Sequence, residues 1–319
     1  MKKRIEELDF VKGILIILMV LFHLVFFQEK YPYAKQFVYT FHMPLFLVLS
    51  GYLGNLKKNI PEFLTTVAGF LIPYLVMDSL YVGMATVLPI REHIDHPTVG
   101  VILKHIFISP MGPYWYLHTL AFCMLVYYFV FRWIRANKIT KIIFTALLLY
   151  SVTRFVAGVS FTSVIYFLIG VAIRHLQIPF DKRFASVWAL LPLVWLAFYP
   201  ENLERSQPSG YAVAALALSS ILACYQYFGT FLRGFLVYLG RNTLTIMVFS
   251  PLFTFVTKFL VSWLDFDPTG LLCAFISVSL VLAGSLGLAR LSDYIGVSRF
   301  LYYKSTVYNP WHEAIKLTK

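Results

Sequence analysis

Apolar runs of membrane-spanning length return along the whole chain, and this recurrence limits the fold more than any other feature. A helix rises ~1.5 Å per residue, so about twenty apolar residues match the hydrocarbon thickness of a bilayer. Such runs are read near 11–29, 36–56, 62–88, 113–132, 139–157, 161–176, 184–200, 210–229, 242–263 and 268–289. Of the 319 residues 59% are hydrophobic and 13% charged, and the mean hydropathy is +0.74. One soluble core cannot hide that much apolar surface, whereas lipid accepts it. The expected fold is all-α, a polytopic membrane helical bundle of about ten transmembrane helices, forming one domain over 1–319. The run at 161–176 is short, and Pro73 predicts a kink in the third. The first run is long and lacks a small-residue cleavage site, so it reads as a retained helix.

The net charge of +12 raises the question of nucleic acid. The basic residues, however, sit in short clusters between apolar runs, with no soluble basic and aromatic surface, so no nucleic-acid partner is expected. With the N-terminus inside, nineteen Lys and Arg fall on the inner side. Five fall outside, namely Lys30, Lys35, Arg91, Lys104 and Arg205, while Lys12, Arg154 and Lys258 lie within or at the edges of runs. This split predicts an even number of spans, both termini in the cytoplasm and a multi-pass protein of the cell membrane. Cys123, Cys224 and Cys273 lie in apolar runs and read as small packing residues. The longest polar connection is 89–112; its His93, Asp95 and His96 read as solvated loop residues, and no metal site is expected.

Ionisable groups inside spans are expensive, so each is a functional candidate. The first helix carries Asp9, Lys12 and His23, the second His42, the third Asp78, the fourth His118 and the fifth Arg154. Eleven residues separate Lys12 from His23, which is three helical turns plus ~20°, so both share one face about 16 Å apart along the axis. Lys12 then stands near the inner entrance and His23 beyond the midplane. A long, thin ligand with an anionic head can touch both. Lys12 also reads as a snorkelling interface anchor, and His23 as a packing hydrogen bond between helices. The orientation sets His42, His118 and Arg154 toward the outer side, where with His23 they are expected to line one outward-opening cavity. Separate structural contacts remain open for His118 and Arg154.

The segment Leu8-Asp9-Phe10-Val11-Lys12-Gly13-Ile14 runs on to Leu21-Phe22-His23, followed by Phe41-His42-Met43-Pro44-Leu45-Phe46 and Ser50-Gly51-Tyr52-Leu53. This resembles the acyltransferase-3 family of integral membrane acyltransferases, whose hallmark is Arg or Lys, ten residues, then His. Lys in that first place resembles the fucose 4-O-acetylase-like branch. Gly112-Pro113-Tyr114-Trp115-Tyr116-Leu117, the Phe167 to Gly170 segment and Gly240-Arg241-Asn242-Thr243-Leu244 resemble later motifs in the same order. The chain departs in two places. Ser250 stands where the ninth span often has His, and Thr65 and Thr66 stand near Pro73-Tyr74 where a basic residue is common.

The resemblance implies transfer of an acyl group, usually acetyl from acetyl-CoA, to a hydroxyl of a surface glycan or lipid-linked saccharide. It implies catalysis by His23 with His42, coenzyme A binding by Lys12, Asp9 and Arg241, and acceptor binding by Trp115, His118 and Arg154. No permanently bound cofactor is expected; acetyl-CoA is the donor. A secondary transporter or glycan exporter also accounts for ten spans with buried charges, and a membrane scaffold for the spans alone. Neither requires the Lys12/His23 and His42-Met43-Pro44 pattern.

Overall fold

The computed structural model describes residues 4–87, 93–178, 184–264 and 266–311, and every regular element among them is helical. In chain order these are α1 (Glu6–His23), α2 (Val25–Lys30), α3 (Pro32–Leu53), α4 (Ile60–Val87), α5 (Val99–Phe107), α6 (Trp115–Trp133) and α7 (Lys138–Phe155). Then follow α8 (Phe161–His175), α9 (Leu190–Ala197), α10 (Pro208–Cys224), α11 (Thr230–Arg241), α12 (Thr243–Val261), α13 (Leu271–Tyr294) and α14 (Val297–Leu301). Among the described residues, four helical segments are long and apolar enough to cross a membrane: α4, α6 with its preceding turn, α12 and α13. The stretches 161–175, 187–197 and 208–224 are apolar but shorter. Lys2, Lys3, Arg91, Lys182, Arg183, Lys316 and Lys319 of the charge count lie outside the described residues.

Four expectations are corrected. The first apolar run does not continue to 29, because the helix stops at His23, Leu24 is extended (φ −72°, ψ 109°) and α2 begins anew. The run at 184–200 is a short 3-10 turn at Val187–Ala189, the eight residues of α9, and a second 3-10 turn at Pro200–Leu203. The connection 89–112 contains α5, started by the Thr98 hydroxyl accepting from the Val101 N–H. The stretch after 229 forms α11, twelve residues long. Its buried Leu236, Val237 and Leu239 belong to a short apolar stretch between Arg233 and Arg241, so an average over a span-length window conceals it.

The chain forms two compact units. The first comprises the described residues of Met1–Phe46, Pro179–Val297 and Thr306–Lys319. α1 lies within it, with Leu8, Phe10, Val11, Leu15, Ile16, Met19 and Val20 all buried. Residues 8–11 follow one another around the axis, so α1 is enclosed on all sides, by α10, α11, α12 and α13. Against α11 the backbones come very close. A β-carbon on Gly13 would overlap the Leu236 carbonyl, and one on Gly240 would overlap the Asp9 carbonyl.

The second unit comprises the described residues of Leu47–Ile178 and Ser298–Ser305. Its α3 and α8 repeat the device: Gly51 abuts the Phe167 carbonyl and Gly170 the Val48 carbonyl. Small residues at facing positions permit such approach where lipid offers no hydrophobic drive for helix pairing. Tyrosine hydroxyls satisfy carbonyls at helix ends and loops, as in Tyr74 to Ile106 (2.5 Å) and Tyr128 to Lys58 (2.7 Å). α4 runs unbroken through Pro73.

Candidate active site

His23 is the last residue of α1, where the chain turns out of the helix. The Phe22 carbonyl loses its intrahelical donor there, and the Tyr39 hydroxyl of α3 supplies one at 3.0 Å. Tyr39 thereby ties the end of α1 to α3. Its ring lies 6.2 Å from that of His23 and 5.0 Å from that of His42, so it neighbours both imidazoles. Tyr39 and His42 are three residues apart, so they share a helix face.

Both histidines are held in one tautomer by the same local device. Nδ1 of His23 meets the Met19 carbonyl at 2.6 Å, and Nδ1 of His42 meets the Val38 carbonyl at 2.8 Å. A carbonyl oxygen only accepts, so each Nδ1 carries the proton and each Nε2 keeps its lone pair. His42 is 2% exposed, and its Nε2 has no hydrogen-bond partner among the described residues. A buried acceptor left without a donor costs about 1–3 kcal/mol, which a hydroxyl-bearing ligand would offset.

At the other end of α1, Asp9 is 3% exposed at its side chain and gathers three cations. The Arg4 guanidinium is directly paired with it, Lys12 Nζ lies 3.2 Å away and Arg241 Nε 3.9 Å away. The Arg241 side chain is 5% exposed and Lys12 20%. Glu6 stands one turn earlier, where it accepts from the Tyr225 hydroxyl at 3.2 Å. Asp9 and Glu6, which also feels the Arg241 charge, set two carboxylates against these three cations, a net of one positive charge. Arg241 comes from the end of α11, and the close approach of Gly240 to Asp9 brings it there.

The remaining candidates belong to the second unit. His118 on α6 is 3% exposed, and its Nε2 donates to the Phe107 carbonyl at 3.0 Å, so Nδ1 keeps the lone pair. Trp115 opens α6 and is half-buried, and Arg154 is exposed near the end of α7. Of the residues expected around one outer cavity, His23 and His42 meet in the first unit through Tyr39. Asp78 is fully buried on α4, one turn after Tyr74. Ser250 is buried on α12. Thr65 and Thr66 turn their hydroxyls to the carbonyls of Pro61 and Glu62 (both 2.8 Å), and Lys58 Nζ reaches Thr66 at 2.5 Å. A cation therefore stands beside α4 although the helix itself lacks one there. His93 and Asp95 lie 3.9 Å apart, and no group of three His, Cys, Asp or Glu among the described residues could hold a metal.

Sequence reasoning missed Tyr39 and Arg4. The spacing to His42 offers a signal for Tyr39. For Arg4, the signal is a basic residue five positions before Asp9.

Comparison with known proteins gives the context for this geometry. The acyltransferase-3 model, which describes an acyltransferase domain, matches residues 5–290. Over 55 residues the chain is 53% identical to the nodulation protein NolL of Sinorhizobium fredii (strain NBRC 101917 / NGR234). That stretch covers 15% of this chain and 15% of that protein. No solved structure matches the chain. With a family model covering nearly its whole length, the chain belongs to the acyltransferase-3 family.

Proposed function

We propose that the protein is a membrane acyltransferase that moves an acyl group, acetyl in the first instance, from cytoplasmic acyl-CoA to a hydroxyl of a surface glycan or lipid-linked sugar. The supporting observation is the pair of imidazoles that both neighbour Tyr39, each with Nδ1 pinned to its own helix and Nε2 left with its lone pair to accept a proton. His23 acts as general base. The acceptor hydroxyl oxygen attacks the thioester carbonyl carbon while His23 Nε2 takes the hydroxyl proton. The carbon–sulfur bond then breaks, and the proton passes from His23 to the departing sulfur, which leaves as the thiol of coenzyme A. His42 orients the hydroxyl through its own Nε2.

The donor end is assigned to Lys12, Asp9 and Arg241. Coenzyme A has an anionic nucleotide head on a long narrow arm. Two cations steadied by one carboxylate hold phosphate oxygens without collapsing onto each other. Lys12 and His23 share a face of α1 about 16 Å apart along its axis, which suits a head at one and a thioester at the other. The reading places the protein in the cell membrane with both termini inside and in the fucose 4-O-acetylase-like branch.

The experiment is acyl transfer by purified protein in detergent, supplied with radiolabelled acetyl-CoA and saccharide acceptors. Acceptor-dependent release of free thiol, with label in the saccharide, is expected from the wild type. Saccharide movement across proteoliposomes without thioester cleavage would replace this reading with a transporter.

A further inference from the structure

Residues 306–311 belong to the first unit and run without a hydrogen-bond ladder of their own. Three consecutive backbone amides in this strap are instead taken by side chains. The Asp293 carboxylate, near the end of α13, accepts from the N–H of Val307 (3.0 and 3.1 Å) and of Tyr308 (2.9 Å). Asn242 Oδ1 accepts from the N–H of Asn309 at 2.9 Å, and Asn242 Nδ2 returns a bond to the Asn309 carbonyl at 3.0 Å. One side-chain amide thus pairs with both backbone groups of one residue, as a neighbouring strand would. Tyr308 and Tyr238 hydroxyls meet at 3.0 Å, and the Trp311 ring lies 5.2 Å from that of Tyr238.

What the strap holds is the corner between α11 and α12. Asn242 is the only residue between them (φ −105°, ψ 13°). The last four carbonyls of a helix have no intrahelical donor. In α11 the first three find local ones: Tyr238 from Asn242 Nδ2 (2.9 Å), Leu239 from the Asn242 N–H (3.0 Å), and Gly240 from the Thr243 hydroxyl (3.4 Å). The fourth belongs to Arg241, and its donor is Asn309 Nδ2 at 3.1 Å, which also reaches the Val307 carbonyl at 3.2 Å. Arg241 is the residue whose guanidinium faces Asp9.

We propose that Asn309 is a positioning residue for the acyl donor: by bonding the Arg241 carbonyl it fixes the end of α11 so that the Arg241 guanidinium faces Asp9 and the coenzyme A head. This rests on the reading that Asp9, Lys12 and Arg241 form the donor site. The strap touches no reacting atom in this scheme. Its effect therefore belongs in the acyl-CoA KM and not in kcat.

The test is a double-mutant cycle on the full-length protein in detergent, with Arg241→Ala, Asn309→Ala and the two combined, measuring KM and kcat for acetyl-CoA. Asn309→Ala is expected to raise KM about fivefold, the worth of one hydrogen bond, and to leave kcat within about twofold. In the Arg241→Ala background it is expected to add nothing, because it acts through that residue. Asn309→Ser keeps one donor and is expected to fall between wild type and alanine, and it serves in the cycle if the alanine variant does not fold. An unchanged KM in Asn309→Ala, or an equal rise in both backgrounds, overturns the positioning role and leaves the donor site standing. An unchanged KM in Arg241→Ala overturns the donor site itself, and this role with it.

Discussion

At the scale of single residues, the proposed mechanism divides the chemistry between His23 and Lys12 at the two ends of one helix. His23→Ala is expected to lower acyl transfer by about 10² to 10⁴-fold, the usual worth of a positioned base, with expression and membrane insertion unchanged. Turnover near wild type would remove His23 from the mechanism and move the role to His42, whose Nε2 is likewise free. Lys12→Ala leaves Asp9 with Arg4 and Arg241, so no buried carboxylate is stranded. It is expected to raise the acyl-CoA KM about tenfold, the scale of one charged hydrogen bond, while Lys12→Arg retains most of the affinity. A KM untouched by Lys12→Ala would reduce the residue to a partner of Asp9. These candidates were legible in the sequence because helical spacing fixes which residues share a face, and an ionisable side chain in an apolar run stands out. Tyr39 was only weakly marked, by its spacing to His42 in an aromatic-rich helix, and Asn309 not at all, since it meets Asn242 from 67 residues away. A contact between distant segments leaves no period in the sequence.

At the scale of elements, the family motifs divide into chemistry and packing. Gly13 with Gly240, and Gly51 with Gly170, form two pairs in which each glycine faces a backbone carbonyl of the other helix. A carbonyl cannot rotate away as a side chain can, so a methyl group there forces the helices apart. Gly240→Ala is therefore expected to cost about 1–3 kcal/mol, read as a lower melting temperature in detergent. Gly287→Ala on α13 has nothing within 4 Å and is expected to be neutral or slightly stabilising. Equal melting temperatures for the two variants would show that α1 and α11 do not depend on the close approach. The motifs were visible in the sequence, but their pairing was not, because α11 was hidden. Its Arg233, Arg241 and flanking glycines read as a basic inner connection, and its burial comes from α1, far away along the chain. The break at Leu24 was equally hidden, since Leu24 and its neighbours His23 and Val25 carry no turn signal.

At the scale of the whole molecule, the proposed reaction requires a cytoplasmic donor and an external acceptor to reach the same chemistry. The nineteen-to-five distribution of Lys and Arg predicts both termini inside with an even number of spans. Cysteine labelling in intact cells tests this directly, in a background where Cys123, Cys224 and Cys273 are replaced by alanine. His96→Cys sits at an exposed position in the 89–112 connection and is expected to react with a membrane-impermeant maleimide added outside. Ser305→Cys is exposed in the basic C-terminal region and is expected to react only after the membrane is permeabilised. Outside labelling at Ser305→Cys would mean an odd span count. It would leave the donor end intact, because Lys12 depends on the N-terminal side alone. A cysteine at Glu7 separates the remaining case, since Glu7 precedes Lys12 on the same helix. Labelling of Glu7→Cys from outside would put Lys12, Asp9 and Arg241 on the external face. Cytoplasmic acyl-CoA could then not reach them, and the division of α1 into a donor end and a catalytic end would fail.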